Sequence, residues 1–167
     1  VEDLEEKYEA YQYYLDAVKR DGVPYDLITK ALPTIEGEVN NILSQLVDFQ
    51  MLFEMDGKNI NNYIVYDDDN VWPLELSSGM ERFISSLAIR VALINVSNLP
   101  RSNFLAIDEG WGTMDSDNLN SVYSLFQYLK SQFQFTLIVS HIDSMRDAVD
   151  TLLEIKKEKD YSNIMFD

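Results

Sequence analysis

Residues 103–115 constrain the fold of this chain more than any other stretch. Four apolar residues, 104–107, lead directly into two adjacent carboxylates, Asp108 and Glu109. A short continuous apolar run is typical of a strand buried on both faces, as in a parallel sheet covered by helices. Ligands bind beyond the carboxyl ends of such strands. The stretch therefore predicts an α/β fold with the acidic pair at a binding edge, the alternative being a strand followed by a charged turn.

A second apolar run, residues 135–139, ends at Ser140 and His141. The residues between the two runs have helical spacing: Leu119, Val122, Tyr123, Leu125, Phe126 and Leu129. Strand, helix and strand in this order form a crossover unit with parallel strands. We therefore expect Asp108, Glu109 and His141 to emerge at the same edge of one sheet.

The first 21 residues have a pattern of their own. Their apolar side chains are spaced by four and three residues in turn: Leu4, Tyr8, Tyr11, Leu15 and Val18. This heptad-like seam predicts either the root of a coiled coil or an ordinary amphipathic helix. Gly22 and Pro24 then break the helix, so we predict a root helix at residues 1–21 and a separate α/β lobe at residues 22–167.

The middle of the chain combines helical and strand-like patterns. Residues 25–47 keep helical spacing, with two helices expected to meet at Pro33. Two β-type runs, residues 49–55 and 59–66, are joined around an Asp-Gly pair, which predicts a hairpin. Residues 67–70 are expected to be a turn, since they lack the spaced ligands of a calcium loop. Beyond residue 142, we expect a short helix near 143–148 and strands near 151–155 and 162–166.

Ser77, Ser78 and Gly79 open a strongly apolar helix. The unpaired amides at a helix start carry a partial positive charge, about +0.5, which favours an anion, and glycine permits close approach of the backbone. The three residues are therefore a candidate phosphate site. A serine N-cap that only satisfies a first-turn amide is the simpler alternative.

Composition limits the classes of partner. The 167 residues carry a formal net charge of −16 and no cysteine. Nucleic-acid affinity depends on neutralising phosphates with Lys and Arg, so the chain by itself is a poor DNA binder. The lack of cysteine excludes disulfides and thiolate metal sites. No apolar run is long enough to cross a membrane, and we expect a soluble protein inside the cell, in the cytoplasm, nucleoid or nucleus.

The acidic pair has residue types suited to phosphoryl transfer. Asp108 offers a hard oxygen ligand for Mg²⁺, and Glu109 offers a base for an attacking water. His141, the only histidine, has either a structural role or a hydrogen bond to a terminal phosphate.

Four motifs in register resemble those of ABC-type ATPases. Residues 76–79, Leu-Ser-Ser-Gly, resemble the signature motif, and residues 105–109, Leu-Ala-Ile-Asp-Glu, resemble the Walker B strand. Residues 112–115, Gly-Thr-Met-Asp, resemble the D-loop, and residues 138–141 resemble the switch-histidine strand. The loop from Asp108 to Asp115 is most similar to that of SbcC-type, SMC-related ATPases of double-strand-break repair.

The resemblance implies a role for each matched residue. Asp108 would bind Mg²⁺, Glu109 would be the catalytic base, and His141 would contact the γ-phosphate. Asp115 would communicate across a dimer. Ser77, Ser78 and Gly79 would contact the γ-phosphate of ATP held by a second copy of the head. Met80 departs from the polar residue usual in the family after the glycine, which puts a side-chain contact there in doubt.

The chain contains no Gly-x-x-x-x-Gly-Lys-Ser/Thr loop to hold the α- and β-phosphates. In SbcC-type and SMC proteins that loop lies in the N-terminal half of the head, so the resemblance implies the C-terminal half of a split ATPase. It also implies a partner nuclease and double-stranded DNA, held mostly through other surfaces, with no membrane partner. The alternatives are an SMC-type chromosome-organising head and a non-enzymatic acidic α/β interaction module.

Overall fold

The computed structural model describes residues 2–57, 59–108, 119–141, 143–159 and 161–166. The chain divides into two compact units, Val1–Arg101 and Ser102–Asp167. Within the described residues, no helix has the length and apolarity needed to cross a membrane.

The first unit combines three helices with an antiparallel sheet. Its helices are α1 (Glu2–Val18), α2 (Val23–Leu43) and α3 (Gly79–Val96), and a short 3-10 helix, Leu74–Leu76, precedes α3. Its strands are β1 (Gln50–Asp56), β2 (Asn59–Asp67) and β3 (Asn70–Pro73), paired in the order β1-β2-β3. The predicted hairpin around Gly57 and the turn at residues 67–70 are confirmed, whereas β3 was not predicted.

The prediction that two helices meet at Pro33 is wrong, because α2 continues through this residue. A proline inside a helix costs about 3 kcal/mol or more. The apolar stripe of α2 runs past the proline, and its buried residues lie on both sides: Leu32, Val39, Ile42 and Leu43. Because α2 packs on α3 and β1, this burial outweighs the local preference for a break.

Side chains of α2 occupy the open edge of β1, which is the outer strand of its sheet. The Asn40 side chain accepts a hydrogen bond from the Met51 amide at 2.8 Å and donates one to the Met51 carbonyl at 2.9 Å. The Glu36 carboxylate accepts from the Phe53 amide at 2.8 Å. The unpaired backbone groups of an edge strand can pair with a strand of another molecule. These hydrogen bonds occupy such groups of β1 and also attach the sheet to α2.

Replacing either of two glycines of this unit with alanine should change its stability, in opposite directions. A Cβ at Gly22, between α1 and α2, would lie 2.5 Å from the Ala17 carbonyl oxygen, whereas a Cβ at Gly37, inside α2, meets nothing within 4 Å. Gly22→Ala should therefore lower the thermal midpoint, because backbone atoms must move. Gly37→Ala should raise the free energy of unfolding by about 0.5–1 kcal/mol, since glycine is a poor helix former. Thermal unfolding followed by circular dichroism measures both, and equal midpoints for the two variants would contradict the assignment.

The second unit contains the predicted crossover. Strand β4 (Phe104–Asp108), helix α4 (Leu119–Gln132) and strand β5 (Phe135–Val139) follow in order, and β4 pairs with β5 in parallel. A short 3-10 helix, Asp143–Ala148, precedes strands β6 (Leu153–Glu158) and β7 (Tyr161–Phe166), which pair in an antiparallel hairpin. The predicted parallel pairing and the two final strands are confirmed.

One part of the strand prediction is wrong, because β4 is not buried on both faces. Ile107 is buried together with an apolar stripe of α4, but alternate residues of both strands remain exposed. The exposed residues are Phe104, Ala106, Phe135, Leu137 and Val139. Phe104 and Phe135 are 48% and 58% exposed and stack on one another with ring centroids 5.5 Å apart. We call this set the open sheet face. Within the described part of the second unit, a single helix, α4, packs on this sheet, which leaves the other face without a cover.

Candidate functional site

The start of α3 is organised by a capping box. Ser78 is the N-cap, and its hydroxyl oxygen accepts a hydrogen bond from the Glu81 amide at 3.2 Å. The Glu81 carboxylate accepts in return from the Ser78 amide at 2.5 Å. Each partner satisfies an amide that has no acceptor within the helix. The N-cap role expected for this pair of serines thus falls on Ser78.

Ser77 precedes this cap and is directed into the protein. It is 8% exposed, and its hydroxyl donates to the Leu74 carbonyl at 2.6 Å. The Ser77 amide donates to the same carbonyl at 3.2 Å. In this conformation the Ser77 hydroxyl proton is used inside the chain, so a phosphate contact from Ser77 requires its side chain to rotate.

Gly79 and Met80 form the first turn of α3. Gly79 is half-buried, and Met80 is buried in the core of the first unit. Burial explains why this position tolerates an apolar residue: the side chain packs inward, and only the backbone of the first turn is offered to a ligand. Helix starts bind anions through this same backbone.

Glu81 has a second partner besides Ser78, which the sequence did not indicate. The Tyr66 hydroxyl, from β2, donates to the Glu81 carboxylate at 2.6 Å. Partial burial favours the neutral acid of Glu81, but hydrogen bonds from Tyr66 and from the side chain and amide of Ser78 outweigh it and lower the pKa of Glu81. Partial burial, followed by the bond to Glu81 and its negative charge, raises the pKa of Tyr66 to about 12. Near neutral pH the pair is therefore an ionised carboxylate with a neutral phenol.

Asp108 and His141 lie at one edge of the parallel sheet. Asp108 ends β4 and pairs in register with Val139, the last residue of β5, and His141 follows two residues later. Both side chains are exposed. The expectation that these two residues emerge at the same carboxyl edge is confirmed. Glu109 and Asp115 lie outside the described residues.

The residues of this edge fit a magnesium ion bound together with a phosphate. Mg²⁺ uses few protein carboxylates and completes its shell with water and phosphate oxygens. Asp108 supplies one exposed carboxylate, and no cluster of three metal-ligating side chains occurs among the described residues. Such an edge suits a metal that arrives with a nucleotide better than a metal held by protein ligands alone.

The predicted site residues fall into two groups. Ser77, Ser78 and Gly79 belong to the first unit, and Asp108 and His141 belong to the second. Glu81 and Tyr66 were missed. The Ser-x-x-Glu pattern of residues 78–81 is a capping-box signature and could have identified Glu81. No pattern in the sequence links Tyr66 to it.

The fold of this chain is similar to that of solved SMC head domains. A chain from a structural study of ATP-driven dimerisation and DNA-stimulated activation of SMC ATPases matches with a TM-score of 0.69 at 15% identity, over 84% of this chain and 88% of that one. The Smc head domain with a coiled coil and joint from Pyrococcus yayanosii matches with a TM-score of 0.65 at 16% identity, over 99% of this chain and 32% of that one. The predicted α/β head with a helical N-terminal root is thereby confirmed.

Sequence comparison identifies particular relatives. Uncharacterized protein R555 of Acanthamoeba polyphaga mimivirus is 36% identical over 171 residues, which cover 93% of this chain and 13% of that protein. The SbcC component of the nuclease SbcCD from Rhodobacter capsulatus is 33% identical over 82 residues, which cover 48% of this chain and 7% of that protein. No protein-family model matches the chain.

The chain spans 7–13% of the length of these two relatives. Its sequence is similar to SbcC proteins and its fold to SMC heads, consistent with the C-terminal half of an SbcC/SMC-type head. The resemblance expected from the four motifs is confirmed at that level.

Proposed function

We propose that this chain is the C-terminal half of an ATP-hydrolysing head that acts in DNA double-strand-break repair. The proposal divides it into a coiled-coil root at residues 1–21 and a head lobe at residues 22–167. One observation carries the proposal: in a fold similar to that of SMC heads, β4 ends at Asp108, and His141 follows the end of β5 at the same edge of the parallel sheet. That edge, together with a separate helix start suited to anions, supplies two elements that a phosphoryl-transfer site requires.

Each residue has a proposed role toward ATP. Asp108 holds Mg²⁺, which when bound offsets negative charge on the phosphate oxygens. Glu109 orients the attacking water and accepts its proton, and His141 donates a hydrogen bond to the terminal phosphate. Asp115 contacts the second copy of the head. The exposed positions of Asp108 and His141 support these roles, because both groups can be reached by a ligand.

The signature residues act on the nucleotide of the other copy. Ser78 and Gly79 present the first-turn backbone of α3 to the γ-phosphate, and Ser77 adds its hydroxyl after leaving the Leu74 carbonyl. ATP therefore joins two heads, and hydrolysis releases them. The capping box supports this role, because its two hydrogen bonds restrain the backbone of Ser78.

The missing P-loop is supplied by an N-terminal half of the same protein. The open sheet face supports this part of the proposal, since a parallel sheet of this type is covered by helices on both sides in a complete domain. The heptad-like seam of α1 supports a coiled-coil root, because its apolar side chains are left for a second helix to cover. Leu4, Tyr8 and Tyr11 of this seam are 65–71% exposed.

The DNA-repair role rests on the sequence relatives. The SbcC proteins are 30–33% identical to this chain over about half its length. We infer from their name a partner nuclease, and double-stranded DNA bound mostly by other surfaces, because the net charge of −16 disfavours DNA binding by this chain. The proposed protein works inside the cell.

An SMC-type role in chromosome organisation is the second candidate. Several solved structures that match in fold are Smc heads, and two of them are bound to a C-terminal domain of ScpA. Their sequence identity of 15–23% is lower than the 30–33% of the SbcC proteins, which favours the repair role. Co-purification with a nuclease, as against a ScpA-like protein, distinguishes the two.

ATP hydrolysis by the assembled head tests the proposal. The chain alone should release almost no phosphate from ATP, because it has no P-loop, and the full-length protein should show Mg²⁺-dependent turnover. A phosphate-release assay measures both, with the P-loop lysine of the full-length protein replaced by alanine as the control. Robust turnover by the chain alone, or none by the full-length protein, would contradict the split-head assignment.

A further inference from the structure

Tyr66 joins the three-stranded sheet to the start of α3. Its hydroxyl donates to Glu81 Oε1 at 2.6 Å. Its ring lies between those of Phe49 and Trp72, with centroids 5.6 and 5.4 Å away. Aromatic contacts at such separations are attractive, so the flanking rings restrict the position of the Tyr66 ring. The position from which the Tyr66 hydroxyl donates to Glu81 is therefore restricted as well.

Glu81 divides its two oxygens between the sheet and the helix. Oε1 accepts from Tyr66, and Oε2 accepts from the Ser78 amide at 2.5 Å. A glutamate held at one oxygen can still rotate about its side-chain bonds. With both oxygens bonded, the orientation of the Glu81 carboxylate is restricted. The bond from the Ser78 amide to this carboxylate then restricts the position of the Ser78 backbone.

This arrangement also bears on charge. An ionised carboxylate beside a helix start repels an incoming phosphate unless its charge is offset and directed elsewhere. Tyr66 draws Oε1 toward β2, and the Ser78 amide takes the other oxygen. The first-turn amides of Gly79 and Met80, which have no carbonyl four residues earlier within α3, then remain for an anion.

We propose that Tyr66 is a positioning residue: acting through Glu81, it holds the start of α3 in the conformation that receives the phosphate of the opposing head. The expected effect of Tyr66 on the association of two heads rests on the proposed function. Tyr66 itself does not touch the nucleotide. Its effect is on how readily two heads join, and not on the chemical step after they have joined.

Tyr66→Phe in the full-length protein removes only the hydroxyl. We expect ATP-driven self-association to weaken by about tenfold, which equals about 1.4 kcal/mol, with the ATP affinity of single heads unchanged. Turnover should fall at low protein concentration and return to the wild-type value at saturating concentration. Analytical ultracentrifugation and turnover measured over a range of protein concentrations give both quantities.

Three variants serve as controls. Tyr63→Phe removes a hydroxyl from the same strand and should leave association unchanged. Glu81→Gln keeps an acceptor for the Ser78 amide and should weaken association less than Glu81→Leu. If Tyr66→Phe associates as the wild type does, the inference is wrong. It is also wrong if turnover stays low at saturating protein concentration, because that result indicates a general loss of folded protein.

Amide hydrogen exchange without nucleotide separates this inference from the proposed function. By NMR, Tyr66→Phe should speed exchange at the Ser78 and Glu81 amides by roughly tenfold, since the capping box opens more often. If the wild type does not associate with ATP but exchange responds, the proposed function is wrong and Tyr66 still positions the helix start. If the wild type associates and exchange does not respond, the inference about Tyr66 is wrong and the function stands.

Discussion

Replacing Glu109 with glutamine in the full-length protein is expected to lower ATP turnover by at least about 10³, or roughly 4 kcal/mol of activation free energy. Glutamine matches glutamate in size but cannot accept a proton from the attacking water. ATP binding and head association do not require that proton transfer. The variant should therefore accumulate as an ATP-bound dimer, which phosphate release and light scattering together detect.

A matched control for this change lies in the first unit. Glu54 of β1 is exposed, and Glu54→Gln removes the same charge while leaving turnover unchanged. Near-normal turnover of Glu109→Gln would exclude Glu109 as the base. Loss of both turnover and ATP-dependent dimers would mean instead that this residue is needed for nucleotide binding or assembly.

The second large effect is expected from Ser78→Asp. Aspartate is as good an N-cap as serine, so the start of α3 should stay folded. Its charge would stand where the γ-phosphate of the opposing head is proposed to bind. Two unit charges about 4 Å apart repel by roughly 4 kcal/mol near a protein surface. ATP-driven dimers should thus weaken by at least about a hundredfold, while each head still binds ATP.

Ser78→Asn is the control that distinguishes the effect of the aspartate charge from the effect of its size. Asparagine also caps helices well and is close to aspartate in size, but it is neutral. Its association with ATP should remain within about threefold of the wild type by sedimentation. Equal association of the aspartate and asparagine variants would remove the start of α3 from the proposed phosphate contact, and unchanged melting temperatures would show that the cap survives in both.

The crossover unit illustrates what local pattern can predict. The run from Phe104 to Asp108 and the run from Phe135 to Val139 are separated by one helix, and a short right-handed crossover leaves only the parallel pairing. That topology brings Asp108 and His141 to one edge without any knowledge of side-chain contacts. The hairpin at Gly57 was equally predictable, since its turn requires the positive φ of 57° found there.

Other features depend on contacts between residues far apart in sequence. Pro33 is a helix breaker by local preference, yet α2 continues because Leu32 and Val39 are buried. The exposure of Phe104 and Phe135 could not be read from their apolar character, because that depends on what else packs on the sheet. Glu81 and Tyr66 meet across 15 positions of the chain, which no periodicity encodes.

The sequence by itself therefore determined most of the secondary-structure elements and their order, but not strand β3 or the continuity of α2 through Pro33. It also determined the parallel edge with Asp108 and His141 and the serine-capped start of α3. These follow from short-range periodicity, from turn chemistry and from the handedness of crossovers. The tertiary structure alone decided that Ser77 faces inward, that the sheet has an open face, and that Tyr66 holds Glu81. The physical reason is that burial and hydrogen-bond partners depend on the three-dimensional neighbours of a residue, whereas periodicity records only the residues beside it in the chain.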